Sequence, residues 1–101
     1  MTKESVAIYD NPDGKCVVDV VAVPDWNGYD KICDFLKQEY EASVISSADG
    51  PDSRKSVLDI RGARISIQHD DPYGNSIEAE TVESNDIVRA IGMDLKNRLG
   101  S

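Results

Sequence analysis

Apolar residues recur along this chain in two rhythms, one of period three to four and one of period two. Tyr29, Ile32, Cys33, Leu36 and Tyr40 stand three or four apart. That spacing makes one stripe of an α-helix within residues 25–42, with Asp25 or Asn27 as the candidate N-cap. Ile87, Val88, Ile91, Leu95 and Leu99 repeat it. Ser84 as cap, Asp86 in the first turn, Lys96 and Arg98 in the last and Gly100 beyond complete the pattern of a second helix.

Elsewhere the alternation is that of strands. Residues 5–9 lead into Asn11-Pro12-Asp13-Gly14, a turn in which proline fixes φ and glycine supplies a positive φ. Residues 16–23 are apolar at nearly every position and predict a second hairpin arm covered on both faces, ended by Pro24. Residues 43–47 predict a short strand and residues 48–53 a mobile surface loop. Residues 56–61 and 64–69 flank Gly62-Ala63, read as a type II′ turn. That register pairs Ile60 with Ile65 and Leu58 with Ile67, and sets Arg61 against Arg64 and Asp59 against Ser66 on the other face. A longer turn over residues 70–75 precedes a last strand, residues 76–82, with Ile77, Ala79 and Thr81 inward and Glu78 and Glu80 outward.

The resulting order is β-β-α-β-β-β-α. It predicts an α+β fold: a mainly antiparallel five- or six-stranded sheet with two helices packed on one face, since each helix has a single apolar stripe to bury. At 101 residues the chain is read as one domain spanning residues 1–101.

Charge narrows the function classes. Nineteen acidic residues against eleven basic ones give a net charge of −8, which repels phosphate backbones and anionic membranes. Neither nucleic acid nor membrane is an expected partner. Residues 16–18 and 20–23, the longest apolar stretches, are separated by Asp19 and too short to span a bilayer. No signal-like segment opens the chain, so the expected compartment is the cytoplasm. Cys16 and Cys33 fall in a predicted strand and helix and read as buried small hydrophobes.

Candidate chemistry is sparse. His69 beside Asp70 and Asp71 has the composition of a metal or acid-base cluster. Yet it is the sole histidine, it shares the inward parity of Ile65 and Ile67, and the two aspartates suit a turn before Pro72. No metal site is expected, nor any cofactor. No nucleophile motif surrounds His69, and residues 50–55 lack the spacing of a phosphate loop. Glu78 and Glu80 project side by side from one strand instead of flanking a substrate. No catalytic residue is assigned.

The informative feature is a run of acid. Asp70, Asp71, Glu78, Glu80, Glu83 and Asp86 fall between positions 70 and 86 with no lysine or arginine among them. With the helices on one face, the other face is expected to show Asp59, Ser66, Glu78 and Glu80 with Val17, Val21 and Val23, diluted by Asp19, Arg61 and Arg64. Trp26 and Tyr73 lie in connections and are candidate anchors. In size, charge and outline the chain is similar to small acidic bacterial immunity proteins, which neutralise a toxin by covering its active site. That likeness implies a non-enzymatic inhibitor. The expected function is therefore a protein-binding domain that holds a basic partner through Asp59, Asp70, Asp71, Tyr73, Glu78, Glu80 and Glu83. Two alternatives remain: a structural or homodimerisation domain joined through residues 16–23, and a small-molecule or metal site at the 70–75 turn.

Overall fold

The computed structural model describes residues 5–70 and 74–99; Asp71 and Tyr73 lie outside the described residues. The elements run β1 (Ala7–Asp10), β2 (Cys16–Asp19), α1 (Trp26–Tyr40), β3 (Ser43–Asp49), β4 (Ser53–Ile60), β5 (Ala63–Asp70), β6 (Gly74–Ala79), a 3-10 turn (Val82–Ser84) and α2 (Asn85–Leu99). This is the α+β order expected, with six strands. They form one sheet in the order β1-β2-β6-β5-β4-β3, antiparallel throughout. The last strand in sequence thus sits inside the sheet and joins the opening hairpin to the β3-β4-β5 meander.

Both helices cover the same face. Cys16, Val18, Leu58, Ile60, Ile65, Ile67, Ile77 and Ala79 point into a core closed by Tyr29, Ile32 and Leu36 of α1 and Val88, Ile91 and Leu95 of α2. Asp25 caps α1, its Oδ1 accepting the Gly28 N–H at 2.8 Å. Gly28 is required there, because a Cβ would run into the side chains of Val23, Asp25 and Asn75. The start of α2 is fastened to the first hairpin by Asn85, which accepts the Cys16 N–H and donates to the Gly14 carbonyl, each at 2.8 Å.

Several local expectations are corrected. The 61–62 turn differs in register: Leu58 faces Ile65, Ile60 faces Ala63 and Asp59 faces Arg64. Arg61 and Gly62 both have positive φ, 52° and 89°, the signature of a type I′ turn. Sliding by two residues keeps every apolar side chain on its face, so alternation alone does not distinguish the registers. The observed one replaces an Arg61–Arg64 opposition with an Asp59–Arg64 pair.

The second strand ends at Asp19, not at Val23. The Val20 N–H goes to the Asn75 carbonyl and the Val23 N–H turns back to Val20, which carries the chain off the sheet. Val21 is exposed in that turn, beyond the end of the strand, and Val23 packs on the core, not on the open face. Within the chain β2 is paired on both edges, and Cys16, Val17 and Val18 are buried.

Residues 48–53 form a tight hairpin closed by Gly50 N–H to the Ser53 carbonyl at 2.7 Å, not a free loop. Thr81 is exposed and precedes the 3-10 turn, where buried Ser84 hydrogen-bonds to the Thr81 hydroxyl. Ser84 stands directly before α2, as expected of its cap, but as the last residue of the 3-10 turn that leads into Asn85.

Candidate functional site

The sheet face opposite the helices is built by strand parity. One row across it is Tyr9–Val17–Glu78–Ser66–Val57, and a parallel row is Ala7–Asp19–Ser76–Gln68–Lys55. At the other side Glu80 lies opposite Arg64, their backbones joined at 3.1 Å, and Arg64 lies opposite Asp59. Near one corner, Asp49, Ser53, Lys55, Gln68 and Asp70 line a depression of about 320 Å³.

Glu78 is the fixed point of this face. Its Oε1 accepts from Asn11 Nδ2 at 3.0 Å and its Oε2 from Gln68 Nε2 at 3.4 Å. Asp19 is half-buried, and that burial pushes its carboxyl above the ordinary value. Burial also pushes the Tyr9 phenol up, and the negative charges of Asp19 and Glu78 add to it.

Among the described residues, ion pairing reaches this surface only at its corner, through Asp49. Among the described residues, the acidic partners of salt bridges are Asp10, Asp13, Asp30, Glu39, Asp49 and Asp94. Asp19, Asp59, Asp70, Glu78 and Glu80 take part in none. Arg64 stands between Glu80 and Asp59 in the register yet comes within 4.0 Å of neither.

Of the residues singled out from sequence, Asp59, Glu78 and Glu80 share the open face, with Asp70 at its corner. Glu83 belongs to the 3-10 turn and Asp86 to the first turn of α2, which packs on the other face. The acidic run therefore does not form one strip. Tyr9, Asn11, Asp19 and Gln68 complete the surface instead; Tyr9 and Asp19 were legible as the polar positions in step with Val17.

The opposite side of the 70–75 turn is structural. His69 is buried, its Nδ1 is 2.9 Å from Asn75 Oδ1, and its ring meets the Trp26 ring edge-on at 5.3 Å. Trp26 and Tyr29 in turn flank the Arg54 guanidinium at 4.8 and 4.3 Å, and Arg54 is paired with Asp30 at 3.1 Å. Among the described residues no three His, Cys, Asp or Glu side chains are grouped to hold a metal. Cys16 and Cys33 are free and buried, and burial pushes both thiols up, away from a reactive thiolate. No helix among the described residues is long and apolar enough to cross a membrane. No family model, curated protein or solved structure matches this chain.

Proposed function

We propose that this chain is a non-enzymatic binding domain that holds a basic protein partner on its open sheet face, in the cytoplasm. An immunity-type inhibitor covering a basic toxin domain is the most specific form of that function. One observation carries it: five carboxylates on or bordering a face no helix covers, none in an ion pair among the described residues, on a sheet row that has the exposed Tyr9 at one end and Val57 at the other. Carboxylates rimming apolar side chains suit a partner whose cations steer the encounter and whose apolar groups seal it.

The test is charge reversal. Proteins captured from native lysate on the wild-type chain are identified, and the affinity of the basic ones is measured against the Glu78→Lys/Glu80→Lys double variant. The expected loss is tenfold or more, roughly the cost of unpairing one interfacial charge, with circular dichroism unchanged. Undiminished affinity overturns the assignment.

Self-association through β3 is a second reading, favoured by one feature. All seven residues of this edge strand are exposed, including Val44 and Ile45, and its outer backbone edge is unpaired. Sedimentation at high concentration decides it: a dimer that Ile45→Lys dissociates supports the reading, and a strict monomer removes it.

A further inference from the structure

We draw no further inference here: the strongest candidate, the apolar groove of about 250 Å³ that Val23, Ile32, Phe35, Leu95 and Leu99 line between α1, α2 and the turn after β2, carries none, because nothing in the structure shows what covers it.

Discussion

Asn75 fixes the protonation pattern of His69. The Asn75 Nδ2 donates to the backbone carbonyls of Val23 at 2.6 Å and Asp25 at 3.0 Å, so the carboxamide oxygen must be the atom that faces His69 Nδ1. Nδ1 therefore carries the hydrogen. The same amide holds the chain where it leaves β2 and enters α1.

A hydrogen on His69 Nδ1 is the first expected outcome, read by long-range ¹H–¹⁵N correlation. Asn75→Ala leaves two carbonyls and an imidazole N–H without partners. It should cost about 2–4 kcal/mol in urea denaturation. A loss under about 0.5 kcal/mol contradicts the role given to this amide.

Arg61 occupies the first central position of the type I′ turn at φ 52°, a conformation that asparagine adopts more readily. Arg61→Asn should raise stability by about 0.5–1 kcal/mol. Thermal unfolding measures it, and a lower midpoint refutes the turn assignment.

Tyr40 couples the two helices by donating to Asp94 Oδ2 at 2.8 Å, while Arg98 bonds both Asp94 and Glu39. Burial, then the hydrogen bond to Asp94, push the Tyr40 phenol up to about 12. A tyrosine with a raised folded pKa stabilises the fold fully below its unfolded value of 10.0, and that contribution is lost as pH climbs towards about 12. Tyr40→Phe should flatten the fall of the urea midpoint across that window.

At Asp19 the sign is reversed. Burial raises its folded pKa, so the ionised carboxylate opposes folding above the ordinary carboxylate range and the penalty fades as acid protonates it. Asp19→Asn should stabilise the protein at pH 7 and lose that advantage in acid, while weakening partner binding. A surface that serves binding at the expense of stability follows this pattern. Destabilisation at pH 7 contradicts it.

Much of this architecture was legible in residue spacing. The Tyr29–Ile32–Leu36 and Val88–Ile91–Leu95 stripes gave both helices, and the inward parity of Ile65, Ile67 and Ile77 oriented two strands. Register was harder, because displacement by two residues preserves parity. The charge opposition of Arg61 and Arg64 was the available clue, outweighed by the attraction of Gly62 as a first turn residue. The length of β2 was misread because Val20, Val21 and Val23 are as apolar as strand residues. Their departure from the sheet depends on Asn75, more than fifty residues later. The binding face was half visible: Glu78 and Glu80 follow from alternation, but their meeting with Tyr9 and Asp19 requires the β2–β6 pairing, which no local pattern encodes.

The helices lie over β1, β2, β6 and β5, and β3 extends past them, joined to the molecule by its ladder with β4, the Ser47–Ser56 hydroxyl contact and the Asp49–Arg54 ion pair. With so little apolar surface to lose, β3 can peel away while the remaining strands stay closed. Its amides should be among the first in the sheet to exchange with deuterium, making this margin a separate, weaker cooperative unit within a small molecule.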